Sequence, residues 1–156
     1  MKTAVCPGSF DPITTGHLDL VERAAAIFDE VVVCVMVNAE KRPMFSLEER
    51  LARNGFQTGG AAACAGLLAD FARKNGAAAL VKGVRGCVDF DMEYQMAQIN
   101  RSLCPALDTV LLPARPEHAH ISSTMVREML RHRQSLEGRM PPAAVEALLR
   151  IREGKV

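Results

Sequence analysis

The sequence predicts an α/β protein: a single-domain, doubly wound, Rossmann-like parallel sheet with helices on both faces. Three observations carry this expectation. Residues 31–37 form a near-continuous aliphatic run without polar alternation, as expected of a parallel strand covered on both sides. Short apolar runs alternate along the chain with longer helical stretches, the order that crossover helices around a parallel sheet produce. At 156 residues the chain fits one domain, which buries roughly 70% of its unfolded surface and needs no disulfide or metal staple. No internal repeat and no low-complexity linker divides it.

Taken in order, Thr3-Ala4-Val5-Cys6 is the first strand, followed by a turn from Pro7 to Pro12 and a helix over 18–28. The strand at 31–37 leads to a helix over 47–55, opened by Ser46-Leu47-Glu48-Glu49, a capping box in which serine and glutamate satisfy each other's free amides. Residues 59–66 are small and featureless, and read either as a weak edge strand or as a loop. Then come a helix over 67–74, a strand over 78–81, a helix over 89–103 and a strand over 109–112. Helices over 125–133 and 143–152 close the chain; Pro141-Pro142 suits the start of the last one, because a first-turn proline loses no helical hydrogen bond.

Composition excludes several classes. The five cysteines are scattered, odd in number and without a C-x-x-C pair, so they read as small core residues in a reducing compartment. The first twenty positions hold charge, proline and glycine where a signal peptide needs an apolar segment, and no run is long enough to span a bilayer; a cytoplasmic protein with no membrane partner is expected. A formal charge of +1, one tyrosine and no tryptophan supply neither a basic field nor a stacking platform for nucleic acid. Anion binding, if present, is local.

In such a sheet, ligands gather outside the carboxyl ends of the strands. After the first strand come Pro7-Gly8-Ser9-Phe10-Asp11 and then Thr14-Thr15-Gly16-His17; after the second, Lys41-Arg42-Pro43; after the third, Lys82-Gly83-Val84-Arg85. The fourth is followed by Pro113-Ala114-Arg115 and His118-Ala119-His120-Ile121-Ser122-Ser123-Thr124. Each end delivers cations, amides or hydroxyls, which suits a polyphosphate. Neither G-x-G-x-x-G nor a P-loop occurs, so the expected ligand is a nucleoside triphosphate held without a Walker motif. Plain structural roles compete: Ser122 or Ser123 would cap a helix in any protein, Lys41-Arg42 reads as a solvated loop, and Asp89 and Asp91 read as solvent-facing. His118 and His120 have the spacing of a metal pair but no third ligand nearby, which argues against zinc.

Thr14-Thr15-Gly16-His17 and Ile121-Ser122-Ser123-Thr124-Met125-Val126-Arg127 together resemble the paired signatures T/H-x-G-H and I-S-S-T-x-x-R of the nucleotidylyltransferase superfamily. Further stretches, among them Lys41-Arg42-Pro43-Met44-Phe45-Ser46-Leu47-Glu48-Glu49-Arg50, Gly83-Val84-Arg85, Asp89-Phe90-Asp91-Met92-Glu93 and Asn100-Arg101, make almost the whole chain resemble the bacterial phosphopantetheine adenylyltransferase family. The resemblance implies transfer of AMP from ATP to 4′-phosphopantetheine, giving 3′-dephospho-CoA and pyrophosphate in coenzyme A biosynthesis. It also implies Mg²⁺ bound mainly through the ATP phosphates with no protein metal ligand, a homohexamer, and coenzyme A as a feedback inhibitor. Carried over by position, His17 and Lys41 are the catalytic residues. ATP falls to Ser9, Phe10, His17, Gly83, Val84, Arg85, Glu93, His118, Ala119, His120, Ile121, Ser122, Ser123 and Thr124, and the acceptor to Ser9, Lys41, Leu68 and Lys82. Two departures stand out: Lys82 replaces the family's arginine, keeping the charge and losing a bidentate fork, and Gly66 replaces an aspartate.

The chemistry needs no general base, because a phosphate monoester is largely dianionic at neutral pH, its second pKa lying near 6. Positioning and charge stabilisation remain, and the candidates are mostly donors and cations. His17 is assigned to the α-phosphate, Lys41 to the same centre, and Arg85 with the Ser122–Thr124 amides to the β- and γ-phosphates. Two other readings of the residues stay open: a sibling nucleotidylyltransferase with another phosphorylated acceptor, and a non-catalytic nucleotide-binding module. Met92, Met96 and Ala97 suit either subunit packing or an internal core face.

Overall fold

Five parallel strands lie side by side in the order β3-β2-β1-β4-β5. The structure, a computed structural model, describes residues 1–37, 42–52 and 60–152. Along the chain run β1 (Thr3–Gly8), α1 (Thr15–Ala25), β2 (Glu30–Met36), α2 (Leu47–Ala52), β3 (Ala61–Cys64), α3 (Leu68–Lys74), β4 (Ala77–Val84), α4 (Cys87–Leu103), β5 (Asp108–Pro113), α5 (Ser123–Arg131) and α6 (Pro142–Arg152). The undecided segment is a strand at the sheet edge, paired with β2 from Val33↔Ala61 to Met36↔Cys64.

The uninterrupted apolar strands are explained by two cores. Ala4, Cys6, Val31, Val33, Val35 and Val81 face one side and pack under α1, α5 and α6 through Val21, Ala24, Val126, Leu130, Ala144 and Leu148. Their neighbours Val5, Cys34 and Leu80 face the other side, against Cys64, Ala69, Ala72 and Leu107. Strand side chains alternate between faces, so a strand with apolar residues at every position must be covered twice. Each fully buried valine or leucine contributes roughly 1.5–3 kcal/mol, which makes the sheet centre the rigid base of the molecule.

Three details differ from the sequence expectations. Helix α1 begins at Thr15 because Thr14 caps it, α4 begins two residues early, and β4 continues through Val84. Lys82 is therefore a strand residue, on the same face as Leu80, rather than the first residue of a loop. The cysteines are not uniformly core: Cys6, Cys34 and Cys64 are buried, Cys104 is half-buried and Cys87 is exposed at the start of α4. Helix α4 is also the least covered element. Val88, Phe90, Met92, Tyr94, Met96, Ile99 and Leu103 are all exposed, and Asn100 is its buried residue. Met92 and Met96 thus belong to a surface rather than to an internal core face. Among the described residues, no helix is long and apolar enough to cross a membrane.

Candidate active site

β1 pairs with β2 on one side and β4 on the other: the chain runs outward from β1 through β2 to β3, then crosses back to β4, and a crevice opens beyond the ends of β1 and β4. Ser9 and Phe10 follow β1 there, facing Lys82, Gly83 and Arg85 from β4. Gly8 is required at the first tip: a Cβ on it would lie 2.9 Å from the Phe10 ring. Phe10 takes a positive φ of 48°, and its ring meets His17 edge-on with centroids 5.1 Å apart.

His17 sits in the first turn of α1 in a capping box of its own. Its backbone N–H donates to Thr14 Oγ1 at 3.3 Å, while the Thr14 backbone N–H donates to His17 Nδ1 at 3.1 Å. Nδ1 is therefore an acceptor, and a neutral ring must carry its proton on Nε2. Burial first, then the charges of Arg85 and Lys82, push the imidazole pKa down to about 4. His17 is thus held as a neutral N–H donor at the cavity it lines.

That cavity, of about 440 Å³, is lined from six elements and their loops. β1 and its loop give Ser9 and Phe10; α1 gives Gly16, His17, Asp19 and Arg23; β4, α4 and the turn between them give Lys82, Gly83, Arg85, Asp89 and Glu93; β5 gives Leu112; the loop into α5 gives His118, Ile121 and Ser122, and α5 itself Ser123, Thr124 and Arg127. Ser122 caps α5, its Oγ accepting from Met125 N–H at 3.0 Å, and the first-turn amides beside it have no helical carbonyl to bond. Ser123 Oγ donates to Pro12 O at 2.8 Å and Arg127 Nη1 to Asp11 O at 3.2 Å, tying this helix start to the β1 loop. The Asp11 carboxylate in turn accepts from Met44 and Phe45 N–H at 2.8 and 2.9 Å. Buried Arg50 binds Ser9 O and Met36 O at 2.9 and 3.1 Å, joining the tips of β1 and β2.

A second cavity, of about 390 Å³, adjoins the first and is mostly apolar, with Met36, Leu67, Leu68, Leu80, Met96, Ala97, Ile99 and Leu103 in its walls. The two share Pro7, Gly8, Ser9, Lys82 and Glu93. Lys82 Nζ lies 2.8 Å from Glu93 Oε1 at this waist.

The structure thus brings Ser9, Phe10, His17, Lys82, Gly83, Arg85, Glu93, His118, Ile121, Ser122, Ser123 and Thr124 to one cavity, and Leu68 to its neighbour. His118 also carries a buried Nδ1 that no described residue satisfies. Val84, Ala119 and His120 are not among the lining residues, and His120 is exposed; Lys41 lies outside the described residues. Arg85 does not stand as a free cation: its Nε and Nη2 grip Asp89 at 2.7 and 3.0 Å, which holds the aspartate's pKa down and raises the arginine's. Asp89 is therefore a cavity residue, not the solvent-facing charge read from the sequence. Asp19, Arg23 and Arg127 were missed as well. The i, i+4 spacing of Arg85 with Asp89 and of Asp19 with Arg23 was the available signal, and Arg127 stands inside the quoted signature. Cys6 also lines the cavity, but burial raises its thiol to about 12, so it stays protonated.

A family model described as cytidylyltransferase-like matches residues 5–129. Phosphopantetheine adenylyltransferases from Symbiobacterium thermophilum, Psychromonas ingrahamii and Heliobacterium modesticaldum are 48%, 45% and 43% identical to this chain. The alignments cover 95%, 96% and 93% of it and 94%, 96% and 89% of the relatives. The chain belongs to the phosphopantetheine adenylyltransferase family. Members of this family are nucleotidyltransferases, and that is the enzyme class of this chain. A structure from Vibrio parahaemolyticus, described as a nicotinate-nucleotide adenylyltransferase, shares the fold with a TM-score of 0.65 at 18% identity, over 99% of this chain and 95% of that one. The lipopolysaccharide core biosynthesis protein of Thermoplasma volcanium superposes over 74% of this chain and 97% of its own, with a TM-score of 0.55 at 18% identity.

Proposed function

We propose that this chain transfers AMP from ATP to 4′-phosphopantetheine, releasing pyrophosphate and 3′-dephospho-CoA. The observation that carries the reading is the junction of a polar cavity and an apolar one at Ser9 and Lys82. A triphosphate suits the first, with its amides, hydroxyls and arginines. An acceptor with one phosphate and a long neutral arm suits the second, whose walls are mostly apolar. The two phosphates then meet at the waist, within the cavity lined by the His17 Nε2–H.

In this reading the acceptor's phosphate oxygen attacks the α-phosphorus and pyrophosphate departs. His17 donates to a non-bridging α-phosphate oxygen as charge builds there, without being consumed as an acid. Lys82 steadies the incoming phosphate, and the amides at the start of α5 steady the β- and γ-phosphates. Lys41 keeps the role near the reacting phosphates that the resemblance gives it. Mg²⁺ would enter on ATP: the carboxylates lining the cavity, Asp19, Asp89 and Glu93, are each ion-paired to an arginine or lysine, which leaves coordination to phosphate oxygens. When bound it supplies neutralisation of the leaving pyrophosphate.

Pyrophosphate release measured with ATP against 4′-phosphopantetheine, nicotinamide mononucleotide and a polyol phosphate tests the assignment. Release is expected with the first acceptor alone. Turnover confined to another acceptor would make this a sibling enzyme, and ATP binding without turnover on any of them would make it a nucleotide-binding module. The exposed apolar face of α4 supports self-association, which we propose reaches the hexamer implied by the family; sedimentation checks the stoichiometry, and a monomer would refute it. Coenzyme A, which joins the acceptor's arm to an adenylyl group, is proposed to inhibit by occupying both cavities, a competition that ATP and acceptor titrations will read. The protein is proposed to act in the cytoplasm, where fractionation would locate it.

A further inference from the structure

Glu93 faces both cavities. Its Oε1 lies 2.8 Å from Lys82 Nζ, both side chains are about one-quarter exposed (22% and 25%), and both border the polar and the apolar space. The other residues common to the two cavities, Pro7, Gly8 and Ser9, bring no charged side chain. Among the described residues, the charge of the waist is therefore set by one cation and one anion held against each other.

We infer that Glu93 acts through Lys82 as an exchangeable counter-ion: the lysine leaves the carboxylate for a phosphate when the acceptor arrives, and returns to it as the product departs. The inference rests on the functional reading above. Lysine suits the exchange, being a point charge with three rotatable donors on a flexible stem, where a bidentate arginine would hold the carboxylate in a fixed fork. Once Lys82 turns to a phosphate, Glu93 is left facing an anion. It therefore weakens binding of acceptor and product alike. For the product, whose new diphosphate lies at the waist, that weakening favours release. Toward the acceptor, Glu93 is thus a positioning residue. Asp89 makes the matching pair with Arg85, but both line the polar cavity alone, so that pair belongs to the ATP side.

A double-mutant cycle tests this. Glu93→Gln is expected to lower the acceptor KM about tenfold, to strengthen product inhibition by dephospho-CoA to a similar degree, and to lower kcat. The same change in a Lys82→Gln background is expected to lower the acceptor KM by much less, because only the direct repulsion of the phosphate is then relieved, and Asp89→Asn is expected to leave the acceptor KM where it was. An acceptor KM unchanged or raised in Glu93→Gln, an effect undiminished without Lys82, or an equal response to Asp89→Asn would each overturn the inference. Calorimetric titration of the full-length protein with inorganic pyrophosphate gives an arm independent of turnover. Glu93→Gln should bind it about tenfold more tightly, with a much smaller gain in a Lys82→Gln background. If wild type releases no pyrophosphate from ATP and 4′-phosphopantetheine, the functional reading falls, and this titration still decides the exchange.

Discussion

The two cavities that meet at the β1 and β4 tips are similar in size, about 440 and 390 Å³, yet are made in different ways. The polar one is assembled from strand-end loops and helix starts, where the backbone has amides to spare and short motifs set the geometry. The apolar one is a gap between the bodies of α3 and α4 and the sheet, walled by side chains many residues apart in sequence. The difference teaches that phosphate recognition here is local and the acceptor's fit is tertiary. Substitutions should therefore separate into those that move rate or ATP binding and those that move the acceptor KM.

The separation is broken most severely at His17. His17→Ala removes a donor worth roughly 3 kcal/mol in the transition state, so kcat is expected to fall about a hundredfold to a thousandfold. ATP affinity by calorimetry and the thermal unfolding midpoint should stay near wild type; wild-type kcat would remove the ring from the mechanism. Next, Lys82→Gln takes a charged donor from the waist and strands Glu93, raising the acceptor KM about tenfold to a hundredfold, by roughly 1.5–3 kcal/mol. Steady-state kinetics with each substrate varied reads it. Leu68→Ala trims the apolar wall and is expected to raise the acceptor KM about fivefold, roughly 1 kcal/mol, at constant ATP KM. An equal change in both constants would merge the cavities into one functional unit. Lys82→Arg should shift the acceptor KM least, about threefold, since charge is retained and only geometry changes.

The last expectation is a difference in what titrates. His17 has a folded pKa of about 4 against an ordinary 6.5. As pH falls from 6.5 towards 4, the unfolded chain takes up a proton that the folded chain refuses. The stability this group contributes is therefore full above 6.5 and is lost on acidification through that window. Activity follows another group: the ring stays a neutral donor at pH 5.5, so an acid limb near 6 belongs to the acceptor's phosphate. NMR of the His17 ring checks this, and titration near 6.5 would show that burial does not hold the ring neutral.

How much of the site could be read beforehand depends on how local each feature is. Thr14 to His17 and Ile121 to Thr124 were legible because a cap and its helix lie within a few residues of one another. The partners of the cations were not. Arg85 pairs with Asp89 and Lys82 with Glu93 only once α4 folds back beside β4, and Lys82 faces the waist only because β4 runs on through Val84. Arg50, read merely as part of a helical motif, turns out to bind the tips of two strands.

By itself the sequence determined the strand–helix alternation, the doubly covered sheet and the chemical character of the strand-end loops, since periodicity, caps and turn residues act over a few positions. The tertiary structure alone decided the strand order, the edge strand at Ala61–Cys64, the apolar cavity and the neutralisation of Lys82 and Arg85. Those depend on which distant side chains share a few ångströms of space. That is a property of packing, and no short stretch of chain contains it.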